Sequence, residues 1–125
     1  MKNFARVLTT AAAGAAAALA LTAGAAQAAP SSSVYLYTGT NAHCTFSGDN
    51  GVAGGVFSGY ECRNGVAGYS VLVDATGGSF SDVYINTFDT LANCKFAGDN
   101  GTSGGVWDSY YCQSGFAGYS LKVSA

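Results

Sequence analysis

Residues 44–75 read CTFSGDNGVAGGVFSGYECRNGVAGYSVLVDA, and residues 94–125 read CKFAGDNGTSGGVWDSYYCQSGFAGYSLKVSA. At an offset of 50, without a gap, 18 of these 32 positions are identical. Both cysteines recur, with the GDNG and GGV runs, the tyrosine two before the second cysteine, and AGYS. Upstream, Val34-Tyr35 matches Val83-Tyr84 at an offset of 49, so one residue is inserted ahead of Cys94. A period near 50 means one supersecondary unit used twice, repeat one over about 33–75 and repeat two over about 82–125. The repeat is also an internal control. What both copies keep serves architecture, and what differs is where function has room to specialise.

Residues 1–28 read as a signal peptide. Lys2 and Arg6 supply a positive start, an Ala/Leu-rich stretch runs from about Val7 to Ala25, and Ala26-Gln27-Ala28 is a small-x-small cleavage pattern. Alanine contributes too little apolar surface for this stretch to make a convincing span, so no membrane attachment is expected after cleavage. The leader is bacterial in style, a setting in which the Asn100-Gly101-Thr102 sequon is silent. The remainder, 29–125, is a single domain's worth of chain destined for secretion. It sets Arg63, Lys95 and Lys122 against Asp49, Glu61, Asp74, Asp82, Asp89, Asp99 and Asp108, a net charge of −4 with no basic stripe. Nucleic acid and anionic membrane are poor partners for such a surface.

All four cysteines lie in this part, two per repeat, each pair 18 apart. A secreted context and an even count read as two disulfides. Of the three possible pairings the repeat favours Cys44–Cys62 and Cys94–Cys112, each closing a loop worth roughly 3 kcal/mol of denatured-state entropy. Zinc is the alternative, but it wants closely spaced Cys or His pairs, and the single histidine, His43, has Asn93 as its counterpart. No metal or other cofactor is expected.

Period-two alternation occurs four times per repeat: Val34–Tyr37 and Val83–Ile85, Cys44–Phe46 and Cys94–Phe96, Val56–Cys62 and Val106–Cys112, and Tyr69–Val73 and Tyr119–Val123. Tyr, Val and Phe fill these runs, and Gly, Asn, Asp and Ser fill the gaps. The reading is all-β: eight short strands in a small disulfide-stabilised sandwich or barrel, four from each repeat. Asn50-Gly51 and Asn100-Gly101 are tight-hairpin signals, yet a hairpin there would set Cys44 opposite Phe57. The expected compromise is one wide loop over Gly48–Gly55.

Comparison of the copies assigns the faces. Val34, Leu36, Phe46, Val56, Val71 and Val73 with their counterparts are taken as core. Phe57, Glu61 and Arg63 become Trp107, Tyr111 and Gln113, and this exchanging face is taken as solvent. Trp107, Tyr111, Phe57 and Tyr84, with Tyr35 and Tyr37, then form either a flat stacking surface for sugar rings or a protein partner, or ordinary packing between the repeats. GDNG carries too few oxygens for a calcium loop and reads as turn chemistry. No Ser-His-Asp or Cys-His set can be nominated, so an enzyme is not expected.

The repeat resembles a βγ-crystallin Greek-key motif. Phe46-Ser47-Gly48 and Phe96-Ala97-Gly98 look like that family's aromatic-x-Gly element. Ser70-Val71-Leu72-Val73 and Ser120-Leu121-Lys122-Val123 look like its Ser-x-x-Val strand. The family's Asp/Asn pair before the serine is replaced by Ala67-Gly68 and Ala117-Gly118, which removes its calcium ligands. The resemblance implies a double Greek key and small secreted bacterial relatives acting as protease inhibitors or killer-toxin-like proteins. Two functions follow as expectations: a secreted, non-enzymatic binding module for an extracellular protein such as a protease, or for a polysaccharide; alternatively, a structural cell-envelope protein without a discrete site.

Overall fold

Strand composition dominates the chain, but two stretches rich in small residues form helices. A computed structural model describes residues 33–125, so the leader lies outside the described residues. The order is β1 (Val34–Gly39), α1 (Asn41–Ala53), β2 (Phe57–Gly65), β3 (Gly68–Ala75), β4 (Val83–Phe88), α2 (Leu91–Ser103), β5 (Ser109–Gly115) and β6 (Gly118–Ser124). Two three-stranded antiparallel sheets result, ordered β1-β3-β2 and β4-β6-β5. The mostly-β character stands. So does the cysteine pairing, with Cys44 joined to Cys62 and Cys94 to Cys112.

The expected second strands, Cys44–Phe46 and Cys94–Phe96, instead lie in the first turns of α1 and α2, and among the described residues six strands stand where eight were expected. The expected wide loop Gly48–Gly55 is helix up to Ala53, and Asn50-Gly51 lies inside it rather than at a hairpin. Helix boundaries are well marked. Thr40 and Thr90 cap the first turns, their hydroxyls accepting from the amides of His43 and Asn93, both at 3.1 Å. At the other end Gly55 and Gly105 take φ of 77° and 75°. The amides of Gly55 and Val56 bond back to the carbonyls of Val52 and Gly51, and the same closure recurs in α2, a Schellman arrangement that glycine permits. The buried face of α1 is Cys44, Ser47, Gly48 and Gly51, one helical stripe made only of small residues.

The GDNG run has a packing role at every position. A Cβ on Gly48 or Gly98 would collide with the ring of Tyr60 or Tyr110, and one on Gly51 or Gly101 with the ring of Phe57 or Trp107. Asp49 and Asp99 accept the hydroxyls of Tyr60 and Tyr110 at 2.7 and 2.6 Å. Asn50 donates to the Ile85 carbonyl at 2.9 Å and Asn100 to the Leu36 carbonyl at 2.8 Å, so each helix grips the first strand of the other half.

Bulges then decide which side chains point inward. Register shifts between Tyr35 and Thr38, and between Tyr84 and Asn86, turn two successive residues into the core: Leu36 with Tyr37, and Ile85 with Asn86. A shift between Phe57 and Gly59 does the same for Val56 and Phe57. Trp107 precedes β5 and is 1 % exposed, its Nε1 donating to the Gly98 carbonyl at 2.9 Å. Its ring lies 6.4 Å from that of Phe57, so the pair joins the halves inside the core. The solvent face assigned to Trp107 and Phe57 therefore does not exist. Conversely Phe46 and Phe96, taken as core, are 48 % and 51 % exposed because they leave their helices on the side opposite the small-residue stripe.

Trp107→Ala is expected to cost about 3–5 kcal/mol in denaturant unfolding, the scale of a deleted core aromatic. Gly101→Ala should also destabilise. The gain in helix propensity, about 1 kcal/mol, is outweighed by collision with the indole, since overpacking costs typically 1–3 kcal/mol. High pH tests the tyrosine–aspartate contacts. Desolvation first, then the Asp99 hydrogen bond and charge, push the Tyr110 hydroxyl from 10.0 to about 12. The native chain thus keeps a proton that the unfolded chain loses, so this stabilisation is whole below pH 10 and declines as pH rises through 10–12. Asp99→Asn should bring the Tyr110 phenolate absorbance in at lower pH while leaving it above the ordinary tyrosine value, because desolvation remains.

Candidate functional site

Of the four residues proposed as a binding face, Trp107 and Phe57 are core, while Tyr84 and Tyr111 flank Lys122 on one face of the β4-β6-β5 sheet. Tyr111 is exposed on β5, its hydroxyl donating to Asp82 at 2.6 Å, and that bond raises its pKa. It borders a shallow hollow with Leu91, Lys95, Tyr110 and Cys112. Tyr84 is half-buried on β4, sharing a hydrogen bond with Thr87 at 2.7 Å and meeting Phe46 edge to face at 6.1 Å. The surface these two tyrosines share with Lys122 does not include the buried Phe57 and Trp107.

The larger hollow lies elsewhere. A groove of about 380 Å³ runs between the end of β1 and the start of α2, bounded by Tyr35, Tyr37, Gly39, Phe88, Asp89 and Phe96 among others. Its floor is a triad of rings: Tyr37 meets Phe88 at 4.9 Å and His43 at 5.3 Å, and His43 meets Phe88 at 5.2 Å, all edge to face. Tyr35 and Phe96 form one wall, their rings 6.2 Å apart at 74°. Both hairpins also reach this end of their sheets. Gly68 and Gly118 take φ of 128° and 132°. A Cβ on Gly68 would sit 2.7 Å from the Gly39 carbonyl oxygen, and one on Gly118 would strike the Phe88 carbonyl. The turns beyond them carry Val66 and Phe116 fully exposed.

Beneath the groove lies a buried polar cluster. Tyr37 Oη is 2.8 Å from His43 Nδ1 and 2.5 Å from Ser47 Oγ. Asn86 Nδ2 donates to Ser47 Oγ at 2.8 Å and to the His43 carbonyl at 2.9 Å, while its Oδ1 accepts from the Thr87 amide at 2.7 Å. His43 Nε2 is 2.9 Å from the Thr87 carbonyl, an acceptor only, so Nε2 carries hydrogen. Burial pushes the Tyr37 hydroxyl pKa up, outweighing the opposing bonds to Ser47 and Asn86. Ser47 Oγ is fully buried and bonded to Tyr37 and Asn86 rather than to the imidazole, which is not the geometry of an activated nucleophile.

Groove and cluster coincide with the differences between the copies. Gly39 pairs with Tyr69 as Phe88 pairs with Tyr119, so glycine in one half stands where the other has phenylalanine. The inserted residue is Asp89, next in sequence. Tyr37, His43 and Ser47 have Asn86, Asn93 and Ala97 as counterparts. Sequence comparison flagged the exchange of His43 for Asn93 but used it only against metal binding, and Gly39, Asp89 and Phe96 went unnoticed as site residues. The signal was the inserted residue itself. Comparison of the chain with protein families, curated proteins and solved structures finds no match.

Tyr37→Phe should cost about 1–3 kcal/mol in thermal or denaturant unfolding, because buried Ser47 loses the partner that water cannot replace. Tyr84→Phe, which removes a half-buried surface hydroxyl bond, should cost under about 1 kcal/mol.

Proposed function

We infer that the chain is a secreted, non-enzymatic binding domain whose contact site is the groove between β1 and α2, taking an extracellular saccharide or protein. One observation carries this reading: a well-formed hollow lies where two otherwise alike halves diverge, at Gly39, Asp89 and His43. Selection for fold alone would let both halves carry the same residues there. The volume of about 380 Å³ falls within the roughly 300–1,000 Å³ usual for ligand sites, with apolar walls and a few polar groups. Two disulfides support an oxidising destination. The saturation of His43 and Ser47 by hydrogen bonds, together with four oxidised cysteines, supports binding over nucleophilic chemistry.

Filling the groove tests this reading. A Cβ on Gly39 makes only ordinary contact, 3.6 Å from Tyr37, and its φ is not positive, so the backbone there accepts a side chain. Screened against insoluble polysaccharides and secreted proteases, the wild-type chain should retain a partner that Gly39→Phe loses, with Gly39→Ala close to wild type and all three melting alike. A partner retained by Gly39→Phe would place the contact site elsewhere.

A further inference from the structure

We propose that the groove takes a neutral carbohydrate, a pyranose ring lying against Tyr35 and Phe96 with its hydroxyls held by Asp89 and Asn93. This rests on the groove being the contact site. Tyr35 and Phe96 are 39 % and 51 % exposed. They stand nearly perpendicular, so the groove is offered ring surface in two orientations. The negative face of an aromatic ring attracts the weakly positive C–H face of a sugar, a contact requiring no charge on the ligand.

The polar groups specify the rest. Within the lining, Thr40 Oγ1 is occupied by the His43 amide, Thr38 Oγ1 by Tyr35 and Ser70, and both His43 ring nitrogens by Tyr37 and Thr87. Among the described residues, the Asp89 carboxylate and the Asn93 side-chain amide have no hydrogen-bond partner. They leave a carboxylate and an amide, acceptors with one donor group, beside exposed rings: the complement of adjacent sugar hydroxyls. No lysine or arginine lines the groove, and Lys95 borders the other hollow. A phosphate, sulfate or uronate would meet Asp89 unpaired, so anionic glycans are excluded and a neutral one is selected. The volume lies near the lower end of ligand sites, which suits a short run of rings and not a long enclosed chain.

The test is titration of the chain lacking residues 1–28, disulfides intact, with hexasaccharides of glucose (β1,4 and α1,4), mannose and N-acetylglucosamine, followed by calorimetry and amide NMR. Polygalacturonate serves as the anionic arm. At least one neutral member should bind saturably, with shifts at Tyr35, Asp89 and Phe96, and polygalacturonate should not. Phe96→Ala and Asp89→Ala, both at exposed positions, should each weaken binding about tenfold or more without lowering the melting temperature. Neutral binding unaffected by either variant, equal binding of polygalacturonate, or no binding across the panel overturns the proposal. Capture of a secreted protein that Gly39→Phe abolishes, with no saccharide bound, overturns it while leaving the groove as contact site. Saccharide binding retained by Gly39→Phe would sink the groove itself.

Discussion

The reciprocal grip of two asparagines on two bulged strands is the contact on which the other features depend. A bulge in β1 draws Leu36 and Tyr37 inward, and one in β4 draws in Ile85 and Asn86. Bulges interrupt the ladder and leave backbone groups to be satisfied elsewhere. Here the Leu36 carbonyl is met by Asn100 and the Ile85 carbonyl by Asn50, each from the helix of the opposite half. Satisfying one half's backbone thus requires the other half's helix, which makes the two copies mutually dependent rather than beads on a string. The same crossing brings Phe57 and Trp107 together and lets the glycines of both helices seat against them.

Such close approach explains why so weak a helix former is helical. Gly48 and Gly51 each cost about 1 kcal/mol relative to alanine within a helix. Yet any side chain there would intrude on Tyr60 or Phe57, so tertiary fit overrides local propensity. A disulfide from Cys44 to β2 and another from Cys94 to β5 fasten each helix at its first turn, where cap and covalent link act together. For a domain this short on salt bridges, with Arg63–Glu61 exposed on both sides, that fastening carries weight which charge pairing does not.

The sequence was legible where periodicity and spacing used large side chains. The last strands, with Val71, Val73, Leu121 and Val123 inward, and the cysteine pairing could be read directly. The helices could not, because their buried stripe of Cys44, Ser47, Gly48 and Gly51 has helical spacing but almost no hydrophobic amplitude. Thr40 ahead of it and Gly54-Gly55 behind it were the available end signals. Trp107 and Phe57 were misplaced for a different reason. Strict alternation assigns faces by parity, and a single bulge or an early strand end reverses that parity. Tyr37, read either as a surface ring or as packing between the repeats, is the latter, because the β1 bulge buries it against Phe88.

The groove owes its shape to one insertion. Up to Thr38 and Thr87 the halves run in step; then repeat one has Gly39 before its helix cap, and repeat two has Phe88 and Asp89. Phe88 fills the centre of the seam and meets Tyr37 and His43 edge to face, while the glycine opposite leaves space beside it. With symmetric residues both sides would be filled or both would be open. The exchange of Ser47 for Ala97 follows from that asymmetry, since only the half holding Tyr37 and His43 needs a buried hydroxyl to complete the hydrogen bonds. The one-residue offset at the seam makes the two helix entrances unequal. The groove is what that inequality leaves: floored by Phe88, edged by the inserted Asp89, and open because the counterpart of Phe88 is Gly39.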